Sequence, residues 1–568
     1  MESMSGPDSE RSNVSRTVSS SVCTAGCRAY VQALTREGGA ARLRLIDKLL
    51  EIQACARCCL RFAGEYGEIY AAPAPGCGDL KAALSATDGN AQASEPPTAE
   101  RRADEAEAKT QACPVCLGVL QCMDGDALPS PSSDVTAAVQ HASGSPQPWT
   151  PVTTASVAAI AEAVKQEGHE FDSFWLDISL PGSTQVRQQA VWHWLRRDAA
   201  VAPALPGHSP SIDVTDLKAA LRHTLGEPLA QQLRSRQDPD AELRIGLTFA
   251  HSATATEADF LFGSNSKGRG AKRKRGAAHV QLGRSASEAL AQAAAKMLES
   301  KFGEEVRIPP LPPAQPAFVF VRAKREAVYV GGFYLKLQRD ISHSPFIIDG
   351  VRLGRTSIQE ELEKVVLPQL RCDGSKFISA GREDMDVRML GSGRPFVLEI
   401  ANARARMPPP ECFDQMAASL NESGVGVEVR KLQPVDRDTL KLIKAGEQEK
   451  QKSYLATCRL PCPVTPDMLD KISATENLVL QQRTPTRVEH RRAMLVREKT
   501  IYSMSATSVP DDPHGLLLRL RTQAGTYIKE FVHSDEGRTT PHLGSLLGCQ
   551  GPAKILDLDV LEVHMDFI

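Results

Sequence analysis

Aromatic side chains are scarce in this chain, since Phe, Trp and Tyr together make up 5% of its 568 residues. Long apolar runs are missing as well, and none reaches the roughly 20 residues that a transmembrane helix needs. The first residues, MESMSGPDSERSNVS, carry early acids and no apolar core, which excludes a secretory signal. These absences predict an intracellular protein with no membrane partner, located in the nucleus, the cytoplasm or both.

Signals for cofactors and for a strongly charged surface are also missing. The formal net charge is −2, which excludes a wholly basic nucleic-acid coat but leaves room for local basic patches. Neither a Walker nor a Rossmann signature is present, so we expect no small-molecule cofactor. Because a chain of 568 residues is too long for one hydrophobic core, we expect two to four domains.

Cysteines are unevenly distributed. None falls between Cys122 and Cys372, whereas nine of the fourteen lie within the first 122 residues. In a reducing compartment, such clustering indicates a metal site rather than disulfides.

Two C-x-x-C pairs stand out in this cysteine-rich segment: Cys55/Cys58 and Cys113/Cys116. Each pair supplies two thiolates from one tight turn, and two pairs complete a tetrahedral shell. We therefore predict a structural Zn²⁺ bound by these four residues; the competing interpretation is a group of crowded free thiols. Five nearby cysteines are alternates for a ligand position: Cys23, Cys27, Cys59, Cys77 and Cys122, of which Cys59 and Cys122 are preferred.

Composition shifts divide the chain into five segments. They are a disordered N-terminal tail (1–40), a zinc-binding segment (41–122) with a disordered insert at about 74–110, a Ser/Pro-rich linker (123–152), an accessory domain (153–308) and a second domain (318–568). Helices alternate with amphipathic strands in the accessory domain, which indicates an α+β fold. The second domain is rich in strands, and we expect a mixed or antiparallel sheet flanked by helices.

Three stretches carry more specific predictions. FVFVRAKREAVYVGGFYLKL, from Phe318 on, predicts two paired strands, and GLLLRLRTQAGTYIKEFVHSDEG near the C-terminus predicts strand structure. The loop at 264–276 concentrates lysine and arginine among glycines. That loop is either a solvated surface or a patch for nuclear import or for an RNA backbone.

The segment GREDMDVRMLG, which begins at Gly381, holds three carboxylates and two arginines. It leads directly into PFVLEI, which is typical of a buried strand. Because catalytic residues are often found on loops at the ends of strands, this segment is a candidate site.

Three motifs in this half of the chain match a known enzyme superfamily. Gly-Arg-x-Asp at 381–384, Lys-x-Tyr at 452–454 and Gly-Thr-Tyr-Ile-Lys at 525–529 resemble, in order and spacing, the motifs of pseudouridine synthases. Longer stretches, QRTPTRVEHRR and YIKEFVHSDEGRTTPHLGSLLG, resemble the tenth eukaryotic pseudouridine synthase, a tRNA-modifying family shared by archaea and eukaryotes. The resemblance covers the chain from Phe318 to the C-terminus and extends to the N-terminal part.

The resemblance implies roles for five residues. Asp384 is the catalytic aspartate, acting at the ribose as a nucleophile or a base, and Tyr454 stacks on the target base. Tyr527 lines the same pocket. Lys529 is the cation that keeps the aspartate ionised in a desolvated pocket. Arg382 is the alternative cation, although its expected role is a contact to the backbone or to a phosphate.

Two neighbouring acids have weaker claims to a role in the reaction. Glu383 and Asp386 are interpreted as solvated or structural. If the backbone is extended at Asp386, its side chain points to the opposite face from Asp384.

The resemblance also implies a substrate and an architecture. The family acts on the T-loop uridines of tRNA at positions 54 and 55, and it carries a four-cysteine zinc site and a THUMP-containing accessory domain before the catalytic domain. Catalysis needs no cofactor, and we expect a monomer whose partner is tRNA. Two other classes remain open: a non-catalytic RNA-binding protein that retains the synthase fold, and a zinc-dependent scaffold.

Overall fold

The computed structural model describes residues 27–36, 39–87, 111–121, 154–205, 214–262, 284–297, 299–491, 493–565 and 567. The chain divides into two compact units, which we call the first unit (Met1–Lys324) and the second unit (Arg325–Ile568). Two units is the smallest number within the range of two to four domains expected from the chain length.

Helices and a small sheet make up the described part of the first unit. Its helices are α1 (27–35), α2 (Gly39–Glu51), α3 (Ala56–Phe62), α4 (Cys77–Thr87), α5 (Thr154–Gln166), α6 (Ser183–Arg196), α7 (Leu217–Leu233), α8 (Arg284–Lys296) and α9 (Glu299–Glu305). Its strands are β1 (Ser173–Ser179), β2 (Arg236–Gln237), β3 (Leu243–Ala250) and β4 (Phe318–Arg325), in the sheet order β2-β1-β3-β4. Strand β1 is parallel to β2 and β3.

One hydrophobic core joins the cysteine-rich segment to this sheet. Leu60 and Leu120 flank the two C-x-x-C pairs in sequence, and they belong to the same buried cluster as Phe174 of β1 and Ile245 of β3. The sequence predicted a separate zinc-binding segment and accessory domain. The shared core instead makes them parts of one folded unit.

Two disordered segments were predicted where the structure has helices. Residues 27–35 are helical within the predicted tail, and α4 occupies part of the predicted insert. Helix α4 forms because Leu80 and Leu84, four residues apart on one helical face, are buried in the first unit's core. The rest of the insert (88–110), the linker (123–152) and the basic loop (264–276) lie outside the described residues.

Strands dominate the second unit. They are β5 (Val328–Lys336), β6 (Ile341–Ser342), β7 (Ile347–Ile348), β8 (Val351–Arg352), β9 (Thr356–Ser357), β10 (Gly374–Ser379), β11 (Val387–Ala401), β12 (Val427–Pro434), β13 (Lys452–Arg459), β14 (Glu476–Arg483), β15 (Val496–Val509), β16 (Asp512–Thr522), β17 (Thr539–Thr540) and β18 (Lys554–Val563). The helices are α10 (Ile358–Leu370), α11 (Pro410–Glu422), α12 (Thr439–Glu449), α13 (Pro466–Ser473), α14 (Ile528–His533) and α15 (Leu543–Leu547).

The described residues of this unit form a sheet of ten strands. Nine follow the order β12-β5-β11-β18-β13-β16-β15-β14-β17, and β10 pairs with β11. The pair of β11 and β18 is parallel, whereas β13 is antiparallel to both β18 and β16. The predicted α+β class with a mixed sheet is confirmed. Strands β11, β18, β13 and β16 are neighbours, so residues distant in sequence meet at the middle of the sheet.

The predicted pairing of the two strands after Phe318 is wrong. Both strands exist, but β4 joins the sheet of the first unit and β5 joins that of the second. Burial explains the separation, because Val319 and Ala323 belong to the first unit's core while Val330 and Tyr334 belong to the second unit's core.

The Gly-Thr-Tyr-Ile-Lys segment was predicted as part of a strand and is not one. Strand β16 ends before it, and α14 begins at Ile528. Gly525 has a φ of +75°, a conformation that interrupts a strand. The buried residues Ile528, Phe531 and Val532 then repeat at helical spacing.

One cysteine pair was not anticipated. Cys462 and Cys549, both in the second unit, form a disulfide.

Candidate active site

The Asp384 loop connects β10 to β11 and reverses direction through a turn. Gly381 starts it with a φ of +98°, and a Cβ atom there would lie 3.0 Å from Nη1 of Arg394. The backbone N–H of Val387 donates to the carbonyl oxygen of Asp384 at 3.0 Å, which closes the turn. The backbone is therefore not extended at Asp386, so the predicted opposite orientation of its side chain does not hold.

Asp384 is half-buried and contacts two cations. Nη1 of Arg487 lies 2.9 Å from its Oδ2 atom, and Nζ of Lys529 lies 3.5 Å from the same oxygen. The shortest contacts of Lys529 are to Asp386, at 2.8 and 2.7 Å from the two carboxylate oxygens. Burial acts to raise the pKa of Asp386, but the bond from Lys529 outweighs it and the net shift is downward. The predicted partner of Asp384 is thus nearby, yet Arg487 is closer.

The backbone of the same loop is held by a buried lysine. Lys336, on β5, is fully buried, and its Nζ atom donates to the carbonyl oxygens of Ile341, Asp384 and Met385 at 2.7, 2.9 and 3.0 Å. These bonds use all three N–H donors of the ammonium group. Burial lowers the pKa of Lys336 to about 8, against the opposing effect of nearby carboxylates.

Beneath the loop, Glu383 forms a buried ion pair. Its Oε2 atom accepts hydrogen bonds from Nε of Arg394 and from the hydroxyl of Tyr334, each at 3.0 Å. The side chains of Glu383 and Arg394 are both 2% exposed. Of the two interpretations left open for Glu383, solvated or structural, the structure supports the structural one.

A cavity of about 710 Å³ opens beside the loop. It is lined by all five residues that the sequence predicted for the site: Arg382, Asp384, Tyr454, Tyr527 and Lys529. Among the other described residues along its wall are four more cations, Arg394, Lys452, Arg487 and Lys499, and one more acid, Glu383. The excess of positive charge suits a polyanionic ligand.

The two tyrosines enter this cavity from different elements. Tyr454 lies on β13 and is half-buried, and burial raises the pKa of its hydroxyl, which stays protonated at neutral pH. Tyr527 directly precedes α14, and its ring centroid lies 5.9 Å from Cζ of Arg487. The hydroxyl oxygen of Tyr527 is buried and has no hydrogen-bond partner among the described residues. Both tyrosines line the cavity, where an aromatic ring can stack on a planar ligand.

Arg487 lines the cavity and is held by Glu530, and neither residue was predicted for the site from the sequence. Arg487 lies on a short 3₁₀ helix (Thr486–Arg491), and its Nε atom donates to Oε1 of Glu530 at 2.7 Å. The stretch QRTPTRVEHRR, which contains Arg487, contributed to the family resemblance. No spacing rule within it separates Arg487 from the neighbouring arginines.

The four predicted cysteine ligands meet in the first unit. The Sγ atoms of Cys55, Cys58, Cys113 and Cys116 all lie within 4.8 Å of one another, and all four residues are buried. Sγ of Cys55 is 3.8 Å from Sγ of Cys116, which matches the roughly 3.8 Å between two sulfurs of a tetrahedral zinc shell with Zn–S bonds of about 2.3 Å. The donor set therefore fits Zn²⁺. Cys59 is buried nearby but is not a member of the group, and Cys122 lies outside the described residues.

No helix in the described part of the chain combines the length and the apolar character needed to cross a membrane.

Comparison with known proteins relates this chain to one family. A family model described as "Pus10, C-terminal" matches residues 329–564, and one described as "Eukaryotic Pus10, N-terminal" matches residues 151–321. The Mus musculus "tRNA pseudouridine synthase Pus10" is 32% identical over 82% of this chain and 80% of its own length. The Drosophila melanogaster "Putative tRNA pseudouridine synthase Pus10" is 37% identical over 69% of this chain and 77% of its own length.

An archaeal relative extends the similarity. The "tRNA pseudouridine synthase Pus10" of Thermofilum pendens is 38% identical over 42% of this chain and 52% of its own length. The resemblance predicted from the sequence motifs is therefore confirmed, and the chain belongs to the Pus10 family.

Proposed function

We propose that this protein is a tRNA pseudouridine synthase that isomerises T-loop uridines at position 54, position 55 or both. The family relationship supports the reaction class, because the relatives are named tRNA pseudouridine synthases. The observation that carries the proposal is the location of Asp384 in a cavity lined by two tyrosines and an excess of cations. A flipped nucleotide brings a planar base and phosphates, and this lining is complementary to both.

The reaction breaks the bond between N1 of uracil and C1′ of the ribose, turns the base and forms a bond from C5 to C1′. The proton on C5 is then lost and N1 gains one, so no redox partner is needed. Asp384 supplies the carboxylate that acts at the ribose, as nucleophile or as base. Tyr454 stacks on the base and serves in the final proton transfer from C5.

The other predicted site residues bind and orient the substrate. Tyr527 forms the second aromatic wall. Lys529 contributes positive charge beside Asp384, and Arg382, which is exposed and lines the cavity, contacts a phosphate. The reaction itself requires no cofactor.

The first unit has two proposed roles. The match to an N-terminal Pus10 model over residues 151–321 supports tRNA binding through shape and phosphate contacts. Cys55, Cys58, Cys113 and Cys116 hold a structural Zn²⁺ that contributes folding energy. The THUMP assignment, the monomeric state and the nuclear or cytoplasmic location stay predictions from the sequence.

Replacing Asp384 with Asn tests the catalytic proposal. Asn keeps the size and one acceptor oxygen of Asp but loses its charge, so we expect pseudouridine formation to be abolished while tRNA affinity stays nearly unchanged. Unmodified tRNA transcript is incubated with each protein, and pseudouridine is mapped by carbodiimide treatment and reverse transcription.

Asp386→Asn is the matched control, since it makes the same chemical change two residues away. The side chain of Asp386 is 68% exposed, and the proposal gives it no contact with the reacting atoms, so pseudouridine formation by Asp386→Asn should stay close to the wild-type rate. A wild-type rate in the Asp384→Asn variant would contradict the proposal. If every form, including wild type, binds tRNA without modifying it, the non-catalytic RNA-binding function is correct.

A further inference from the structure

Building on the proposed function, we propose that Arg487, held by Glu530, is the positioning residue that orients the carboxylate of Asp384. Lys529, the cation expected from the family motif, has its main contact elsewhere. Arg487 and Glu530 lie in stretches similar to the family, but neither was among the five residues to which the resemblance assigned a role.

The distances distinguish the two cations. Nη1 of Arg487 lies 2.9 Å from Oδ2 of Asp384, within hydrogen-bond range, whereas Nζ of Lys529 is 3.5 Å from that oxygen. Lys529 instead contacts both carboxylate oxygens of Asp386, at 2.8 and 2.7 Å. An ammonium group concentrates its charge on one atom, so its closest carboxylate dominates its interactions. The hydrogen bond that fixes the orientation of Asp384 therefore comes from Arg487.

Glu530 determines where the guanidinium of Arg487 lies. Its side chain is 1% exposed, and its Oε1 atom accepts a 2.7 Å hydrogen bond from Nε of Arg487. A buried carboxylate without its cation is strongly destabilising, so this ion pair resists separation. Because the guanidinium is planar and rigid, fixing Nε also fixes the direction of Nη1 toward Asp384.

The surroundings of Arg487 restrict it further. Thr486, directly before it, is bound to Asp535 by its hydroxyl at 2.9 Å and its backbone N–H at 3.3 Å. The guanidinium faces the ring of Tyr527, 5.9 Å from its centroid. One planar group thus contacts a buried acid, an aromatic wall of the cavity and the proposed catalytic acid. With its guanidinium fixed by Glu530, Arg487 can hold the carboxylate of Asp384 in one orientation. A surface ion pair between two mobile side chains would not fix that orientation.

Steady-state kinetics on unmodified tRNA transcript test the assignment, with kcat and KM determined separately. We expect Arg487→Met to lower kcat at least about 100-fold, the effect typical of losing one preorganised donor. KM should stay within about threefold, since phosphate contacts spread over the protein dominate tRNA affinity. Lys529→Met should lower kcat less than Arg487→Met does.

Arg487→Lys separates charge from geometry. It keeps the positive charge but cannot span both carboxylates with a rigid fork, so kcat should fall at least about tenfold. Arg459→Met is the matched control. Nη1 of Arg459 forms an exposed ion pair with Oδ2 of Asp512, 2.6 Å away, and neither residue lines the cavity. Its kcat should equal that of wild type.

A double-mutant cycle tests the role of Glu530. Glu530→Gln alone should lower kcat about tenfold, because a neutral amide holds Arg487 less firmly. If Glu530 acts only through Arg487, the double variant Glu530→Gln/Arg487→Met should have the same kcat as Arg487→Met alone. Thermal unfolding of each variant shows whether any loss of kcat arises from a loss of fold.

Several outcomes would overturn the assignment. Among the single variants, these are a kcat of Lys529→Met as low as that of Arg487→Met, a wild-type kcat in Arg487→Lys, or a defect of Arg487→Met that is confined to KM. An Arg459→Met variant as slow as Arg487→Met would also contradict it. So would a double variant in which the effects of Glu530→Gln and Arg487→Met on kcat are additive. A wild-type protein that forms no pseudouridine would instead remove the proposed function on which the assignment rests.

Discussion

The buried ammonium group of Lys336 donates a 2.9 Å hydrogen bond to the backbone carbonyl oxygen of Asp384. Its other two donors go to neighbouring carbonyl oxygens, and it makes no hydrogen bond to a carboxylate among the described residues. Lys336, which the charged sequence KLQRD would place on the surface, therefore holds the backbone of Asp384, the proposed catalytic residue.

This arrangement makes the site sensitive to alkaline pH. Because the pKa of Lys336 is about 8, the group loses its proton above that pH and then has two N–H donors for three carbonyl oxygens. We expect the single-turnover rate of pseudouridine formation to fall as pH rises through about 8. The Lys336→Met variant should be slower at neutral pH and should lack this alkaline step.

Deprotonation of Lys336 lowers the predicted rate as pH rises, but the contribution of Lys336 to the free energy of unfolding changes in the opposite direction. The folded-state pKa of Lys336 lies below the ordinary value of 10.5, so between these pH values the unfolded chain binds more protons. The contribution of this group to the free energy of unfolding therefore rises across that window. Urea unfolding at each pH should therefore show no loss of unfolding free energy attributable to Lys336. For the rate, a single-turnover rate of pseudouridine formation that stays constant to about pH 9 would contradict the predicted alkaline step.

The hydroxyl of Tyr454 gives a separate prediction. Tyr454→Phe keeps a ring for stacking but removes the hydroxyl proposed to assist loss of the C5 proton, a contribution typically worth about 10²–10⁴-fold in rate. With tRNA containing 5-deuterouridine, the variant should show a larger isotope effect than wild type, because proton loss becomes slower. A variant with the wild-type rate and isotope effect would assign the hydroxyl no part in that step.

The buried pair of Glu383 and Arg394 should matter for stability. Arg394→Met leaves a carboxylate that is 2% exposed without its cation, which typically costs about 3–5 kcal/mol. Glu383→Gln keeps an acceptor for the hydroxyl of Tyr334, but it leaves the equally buried guanidinium of Arg394 without its counter-ion, so it should also be strongly destabilising. Urea unfolding measures the free energy of unfolding of both variants, and a value equal to that of wild type in either one would contradict the expected ion-pair contribution.

The cysteine cluster predicts one zinc ion per chain. Metal analysis of the purified protein should find it, and Cys113→Ser should lose it together with thermal stability of the first unit. Cys59→Ser is the control, since Cys59 is equally buried but outside the group, and its zinc content should be unchanged. A zinc-free wild-type protein, or full zinc content in Cys113→Ser, would contradict the prediction.

The sequence located residues that share a cavity because each belongs to a short local motif. Asp384, Tyr454 and Lys529 are recognisable from their immediate neighbours, and the order of the motifs linked them. Arg487 could not be found this way, since it meets Asp384 across 103 residues and Glu530 across 43. Which of several arginines reaches the site depends on strand order, and no local pattern encodes that order.

The strand expectation around Tyr527 failed for a local reason. Tyr and Ile favour strands in general. Here the positive φ of Gly525 interrupts the strand, and the apolar residues that follow are buried on one face of a helix. Similarly, β4 and β5 are adjacent in sequence, and sequence alone could not show that their apolar faces belong to two different cores.

The membership of β4 in the first unit's sheet has a practical consequence for producing the second unit alone. A fragment starting at Phe318 would carry this strand without its sheet partners and would expose Val319 and Ala323, which belong to the first unit's core in the intact chain. Unpaired apolar strands promote aggregation. Arg325 bonds to Asn402 and Ala405 within the second unit. We expect a fragment beginning at Arg325, which keeps those contacts and lacks the apolar strand, to aggregate less than one beginning at Phe318.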